Sequence, residues 1–262
     1  MTPAPALSVE NLSLRFGGLS AISDFSLTLQ PGELAGVIGP NGAGKTSLFN
    51  ILSGVYQPSA GTVRALGRDL GGLLPHQIAG LGLVRTFQNI RLFKQLSVLD
   101  NVKIALHARC APSVLSTLLK RPGAMEAERK ISDQAAHLLD RLDLGAQRGI
   151  LAQSLPYGQQ KRLEIARALA TGAKLLLLDE PAAGMNASES AWLQGALRRL
   201  RDEFQLSILL IEHDMAVVMS LCERLYVMDH GQKIAEGPPD QVRRDPRVIE
   251  AYLGTKRGGR PA

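Results

Sequence analysis

The segment Gly39-Pro40-Asn41-Gly42-Ala43-Gly44-Lys45-Thr46 constrains this chain more than any other, because it fits the spacing G-x-x-x-x-G-K-[ST] between two apolar stretches. Upstream, Leu34-Ala35-Gly36-Val37-Ile38 is a short continuous apolar run, the pattern of a strand buried on both faces. Downstream, Ser47 to Leu52 reads as an apolar helix. A strand, a glycine-rich turn and a helix in that order point backbone N–H groups inward, and the positive end of the helix dipole adds to the attraction for phosphate oxygens. A glycine turn can precede a helix for structural reasons alone, but that would not require lysine and a hydroxyl at their fixed places. Gly39, Pro40, Asn41, Gly42, Ala43, Gly44, Lys45, Thr46 and the adjoining Ser47 are therefore candidate nucleotide-binding residues. Lys45 would reach the β and γ phosphates, and Thr46 would offer its hydroxyl to Mg²⁺.

The surrounding pattern is that of an α/β protein. Leu7 and Val9, then Leu12, Leu14 and Phe16, and further on Phe25, Leu27 and Leu29, alternate with polar residues as half-buried strands do. From about Gln88 to Gln153 the period becomes helical. Ile131, Ala135, Leu138, Leu139 and Leu142 share one face before Gly145, read as the end of that helix, while Pro112, Pro122 and Gly123 interrupt the stretch. Helices from about Gly158, Ser188 and Met215 then alternate with apolar runs at Leu175–Leu178 and Ser207–Ile211, which argues for a parallel sheet flanked by helices. Arg224 to Met228 and Lys233 to Glu236, separated by His230-Gly231, read as a terminal hairpin.

Two further features fall where such a sheet places its ligands. The run Leu175–Leu178 ends in Asp179-Glu180, putting two carboxylates at the C-terminal edge of a strand. A buried strand could end in acids by chance. Beside a phosphate-binding loop, however, Asp179 is suited to hold Mg²⁺ through water and Glu180 to orient or deprotonate an attacking water. His213 follows the run Ser207–Ile211 and should emerge at the same edge, close to the γ-phosphate or that water. A lone histidine is more often structural; here its place in the strand order favours the site.

Composition removes several classes of function. With 45% hydrophobic, 21% charged and 4% aromatic residues the chain has the balance of a packed globular protein rather than a disordered or fibrous one. No apolar run approaches the roughly 20 residues needed to cross a bilayer. Residues 1–6 lack the basic and apolar regions of a secretory signal, so a cytoplasmic location is expected. Cys110 and Cys222 have no paired or metal-ligand spacing. The formal charge of +6 could suit nucleic acid or an anionic lipid surface, but it forms no concentrated run outside Lys256, Arg257 and Arg260 and is weak evidence for either; no nucleic-acid partner is expected.

These segments together resemble the ABC ATPase family. Leu155-Pro156-Tyr157-Gly158-Gln159-Gln160 stands just before the strand ending in Asp179, where that family carries its LSGGQ signature; Phe16 matches the aromatic of the A-loop, Gln88 the Q-loop and His213 the H-loop. The likeness spans almost the whole chain. It implies an α/β P-loop NTPase fold, RecA-like with a mostly parallel sheet flanked by helices. An N-terminal antiparallel β subdomain and an inserted α-helical subdomain belong to the same pattern. A single ATPase domain is expected over residues 1–262, with the β subdomain and P-loop in 1–88, the helical subdomain in 89–157 and the remainder of the core in 158–262.

The resemblance also assigns roles: Phe16 stacks on adenine, Gln88 senses Mg²⁺ and the water, and the signature closes over the ATP of a second ATPase subunit, so that Tyr157, Gly158 and Gln159 bind nucleotide in trans. Departures stand at Pro156, where the family has serine, and at Asn186, where its D-loop commonly ends in aspartate. Arg15-Phe16-Gly17-Gly18, Val84-Arg85-Thr86-Phe87-Gln88, Glu180-Pro181-Ala182-Ala183-Gly184, Ile211-Glu212-His213-Asp214-Met215 and Val248-Ile249-Glu250-Ala251-Tyr252-Leu253-Gly254 are more specifically similar to the ATP-binding subunits of Liv-type branched-chain amino acid importers. That similarity implies ATP and Mg²⁺ as cofactors, membrane permease subunits and a second, identical or sister, ATPase as partners, and a solute-binding protein engaged through the permease. The expected place is peripheral, on the cytoplasmic face of the inner membrane. Importers of amides or urea, a soluble ABC-type ATPase acting on nucleic acid, and a P-loop phosphotransferase are the rival readings.

Overall fold

The computed structural model describes residues 4–86, 90–110 and 123–253. Strand β1 (Leu7–Phe16) pairs antiparallel with β2 (Leu19–Leu29). The alternation along β1 slips between Val9 and Leu12 because Asn11 takes φ 50° and the pairing register shifts there. This bulge lets Leu7, Val9, Leu12 and Leu14 all enter one core. Phe16 continues the alternation in sequence but lies 47% exposed at the strand's end.

Strand β3 (Leu34–Ile38) leads into helix α1 (Lys45–Leu52). Next come β4 (Ala60–Ala65), β5 (Arg68–Asp69), helix α2 (Pro75–Leu81) and β6 (Leu83–Arg85), a region to which the sequence pattern assigned no elements. β4 and β5 continue the antiparallel sheet in the order β2-β1-β4-β5. Among the described residues, helices α3 (Val98–Cys110) and α4 (Gly123–Arg141) fall in the stretch expected to be a helical insertion, followed by α5 (Tyr157–Ala170). The core resumes with β7 (Leu175–Asp179), α6 (Ala187–Phe204), β8 (Ser207–Ile211) and α7 (Met215–Leu221). The hairpin β9 (Arg224–Asp229) and β10 (Gln232–Gly237) and the short helices α8 (Pro239–Val242) and α9 (Pro246–Leu253) end the described chain.

The second sheet runs β10-β9-β3-β8-β7-β6, with every pairing parallel except that of β10 with β9. Its central strands are buried throughout, and their alternate residues serve two different cores. Leu34, Ile38, Leu176, Leu178, Ile208 and Leu210 pack toward the helical insertion and α5. Ala35, Val37, Leu175, Leu177, Leu209 and Ile211 pack toward the antiparallel sheet and α1. This explains why β3, β7 and β8 read as continuous apolar runs rather than as alternating strands. Because β3, β8 and β7 are parallel neighbours, the residues following each of them emerge at one edge of the sheet.

One expected boundary is corrected. Ile131, Ala135, Leu138, Leu139 and Leu142 are buried as the period required, but α4 stops at Arg141, before Gly145. Asp143 takes φ 54°, and Leu144 N–H returns to the Leu139 carbonyl at 2.8 Å while Asp143 N–H bonds the Asp140 carbonyl at 3.2 Å. Asp143 is thus the left-handed residue that closes the helix. Its carboxylate accepts from Trp192 Nε1 at 2.6 Å, and Gly145 instead opens a 3₁₀ turn.

Candidate nucleotide site

The glycine-rich turn leaves β3 at Gly39 and enters α1 through Gly44, whose φ of 106° suits glycine. Gly39 passes so close to the Met228 carbonyl that any Cβ would collide with it, which fixes glycine there for steric reasons. The turn is also tied to the β9–β10 hairpin by Gly231 N–H donating to the Ala43 carbonyl at 2.9 Å. Above it lies a cleft of about 410 Å³ lined by residues 41–47, Glu180, Ile211, His230 and the start of β2. Lys45 is buried and folds its ammonium back onto the Gly39 and Pro40 carbonyls, at 2.6 and 2.9 Å. Burial holds its pKa below the ordinary lysine value, and the nearby Glu180 and Asp179 partly oppose that. No side chain caps α1, so its first N–H groups face the cleft edge with Lys45 as the adjacent cation.

Asp179 ends β7 in a buried position, and Glu180 follows with φ 46°, its N–H donating to the Ile211 carbonyl at 2.9 Å. That left-handed step turns the Glu180 side chain into the cleft lining. His213 emerges at the same edge and brings Nδ1 to 3.7 Å from Glu180 Oε1, although His213 itself is not part of the lining.

Two residues that sequence reasoning did not single out complete this edge. Arg85, from β6, donates to Asp179 Oδ2 at 2.6 Å. Glu212 is buried and accepts from Ala182 N–H at 2.8 Å and His213 N–H at 3.2 Å, joining the segments after β7 and β8. Burial raises the Glu212 pKa against the pull of these backbone donors. Each was visible only as a letter within a longer matching string.

The remaining candidates lie elsewhere. Phe16 does not line the cleft; its ring packs edge-on against Tyr56 with centroids 5.3 Å apart. Leu19, Ser20 and Ala21, just across the turn from it, line the cleft instead. Gln88 lies outside the described residues. Tyr157, Gly158 and Gln159 form the first turn of α5 and do not line the cleft of their own chain. Pro156 is the N-cap, with φ −54° and ψ 152°, and its carbonyl accepts from Gln160 N–H at 3.0 Å. Tyr157 packs its ring edge where a Cβ on Gly184 would stand, and Gly158 makes room for the Glu189 carboxylate. Asn186 caps α6: its side chain accepts from Glu189 N–H at 3.0 Å, while Glu189 Oε2 accepts from Asn186 N–H at 3.0 Å. Asparagine suits this reciprocal cap as well as aspartate would, which is a local reason for the departure there.

Comparison with known proteins agrees with this geometry. Residues 22–183 match the ABC transporter family, and residues 232–257 match the family described as branched-chain amino acid ATP-binding cassette transporter. The high-affinity branched-chain amino acid transport ATP-binding protein LivG of Escherichia coli K12 is 46% identical over 250 residues, covering 95% of this chain and 98% of LivG. BraF of Pseudomonas aeruginosa, of the same description, is 44% identical over the same coverage. The solved ADP conformation of MJ1267, an ATP-binding cassette of an ABC transporter, superposes with TM-score 0.83 at 31% identity, covering 96% of this chain and all of that one. Fold, cleft and coverage agree: the chain belongs to the ABC transporter family, as one of its ATP-binding cassettes.

Proposed function

We propose that this cassette is the ATP-hydrolysing subunit of an importer that couples MgATP binding and hydrolysis to the uptake of branched-chain or related amino acids through a separate permease. The observation that carries the reading is the cleft at the sheet edge, where the glycine-rich turn, buried Lys45 and Glu180 converge and His213 lies 3.7 Å from Glu180. The names of LivG and BraF, and the match of residues 232–257, support the class of solute. A peripheral placement on the cytoplasmic face belongs to the same reading, with the cassette docked on its permease; among the described residues, no helix is long and apolar enough to cross a membrane.

The residues divide the chemistry. Backbone N–H groups of residues 39 and 41–44 and the open end of α1 would cradle the phosphates, and Lys45 would exchange its carbonyl partners for β and γ oxygens. Thr46 in the lining and the carboxylate of Asp179 are hard oxygen donors, a set that fits Mg²⁺. When bound, Mg²⁺ would neutralise charge on the phosphate oxygens. Glu180 would accept a proton from water as its oxygen attacks the γ-phosphorus in line and the bond to the ADP oxygen breaks, with His213 and Gln88 positioning that water. Phe16, 47% exposed beside Tyr56, would offer adenine a ring face. Tyr157, Gly158 and Gln159, outside their own cleft, would complete the site of a second ATPase subunit.

Glu180→Gln tests the assignment. In the membrane-bound complex, binding of a fluorescent ATP analogue should stay within about twofold, and phosphate release should fall by about a hundredfold or more. Near-normal release would remove Glu180 from the role of base. Co-purification of the complex, followed by identification of its binding protein's ligand, tests the solute; an amide or urea there would overturn the amino-acid part of the reading.

A further inference from the structure

Arg85 makes the most enclosed ion pair at the sheet edge. Its Nη2 donates to Asp179 Oδ2 at 2.6 Å, and the two side chains are only 6% and 8% exposed. The same guanidinium is anchored from behind: Nη1 donates to Asn50 Oδ1 at 2.7 Å and to Ser53 Oγ at 3.3 Å, both on or beside α1, and the group lies 5.5 Å from the centroid of the Phe49 ring. One planar fork thus joins β6, the helix that starts at Lys45, and the strand that ends in Asp179. A guanidinium held on both edges fixes the carboxylate it touches, because moving Asp179 would break a charge-assisted bond in a site nearly closed to water. The contact uses Oδ2, and a carboxylate has a second oxygen able to accept from a metal-bound water.

We propose that Arg85 is a positioning residue that acts through Asp179, aiming this carboxylate at Mg²⁺ and setting the metal affinity of the nucleotide site. The proposal rests on the reading of Asp179 as the metal-side carboxylate. Partners that orient a metal ligand typically alter metal affinity by about ten- to a hundredfold when removed. Lysine at this position keeps the positive charge but cannot span Asp179, Asn50 and Ser53 at once, so it separates orientation from charge.

The test uses the full chain with a fluorescent ATP analogue, read first in EDTA and then through a Mg²⁺ titration. In Arg85→Lys, binding of the metal-free nucleotide should remain within about twofold of the parent, while half-saturation by Mg²⁺ should rise by about tenfold. Asn50→Ala, which removes one anchor of the fork and leaves Arg85 and Asp179 in place, should move the Mg²⁺ midpoint the same way by about threefold and serves if the lysine variant does not fold. Asp179→Asn is the control on the underlying reading. If it shifts the Mg²⁺ midpoint and neither other variant does, the positioning role of Arg85 is overturned. If Asp179→Asn itself leaves the midpoint unchanged, the reading of Asp179 fails and this proposal falls with it. A lower melting temperature with equal losses in EDTA and in Mg²⁺ would make Arg85 structural only, and would also overturn the proposal.

Discussion

Helices α1 and α5 begin alike and end up in opposite situations. Neither has a side-chain cap: α1 starts after Gly44 and α5 after Pro156, so both leave backbone N–H groups without intrahelical partners. The start of α1 lies within a cleft of its own chain and carries a buried lysine held by two carbonyls. The start of α5 lies outside that cleft, with Tyr157 45% exposed and its ring packed toward Gly184. Two segments with the same chemistry for anions therefore differ in what completes them. The first is furnished by residues following β3 and β7; the second, on the proposed reading, would be completed by a ligand carried by another subunit.

The largest effect that this contrast predicts is on the α1 side. Lys45→Ala removes the one cation at the start of α1 and leaves the Gly39 and Pro40 carbonyls without their donor. Affinity for MgATP should drop by about a hundredfold, equivalent to about 2.7 kcal/mol. Stability should change by only about 1 kcal/mol, because the burial cost of the ammonium is lost together with its two hydrogen bonds. Equilibrium binding and a melting curve on the same preparation check both numbers. Undiminished binding would mean that the cleft of the single chain is not the principal nucleotide site.

A smaller effect is expected from Gly158→Ala on the α5 side. The added methyl would occupy the place of the Glu189 carboxylate, which must then give up its bond to Asn186 N–H at 3.0 Å. Loss of that capping contact should destabilise the chain by about 1 kcal/mol. ATP binding to the single chain should stay within about twofold while hydrolysis by the assembled complex falls by about tenfold, if this turn serves a second subunit's site. Equal losses of binding and of hydrolysis would erase the distinction between the two helices.

How much of this could be read in the sequence depended on how local each interaction is. β3, β7 and β8 were legible because a strand between two cores leaves a continuous apolar run, and the glycine-rich turn because its function is carried by neighbouring residues. β4 and β5 were not, since most of their residues are exposed and only Val63 and Ala65 alternate into the core. Arg85 and Glu212 escaped for another reason: their partners Asp179 and Ala182 stand 94 and 30 positions away, and only the parallel order of the sheet brings them together. The end of α4 misled because glycine is the commoner left-handed residue, whereas Asp143 is fixed there by Trp192 from α6.

Pro156 gives the finest test of the contrast. At the N-cap its missing N–H is no loss to the helix, because a residue in that position need supply only a carbonyl, and Pro156 already gives its own to Gln160 N–H at 3.0 Å. What proline does not supply is a hydroxyl. Serine is among the preferred N-cap residues and would satisfy an orphan N–H of the next turn, so Pro156→Ser should leave the melting temperature unchanged or raise it, by the equivalent of at most about 1 kcal/mol. The same hydroxyl would be able to donate to a phosphate brought by another subunit, so the ATPase rate of the assembled complex should hold or rise by up to about threefold. A clear fall in rate with an unchanged melting temperature would show that the rigid φ near −54° aims the first turn of α5, and that geometry rather than donor count governs this half of the site.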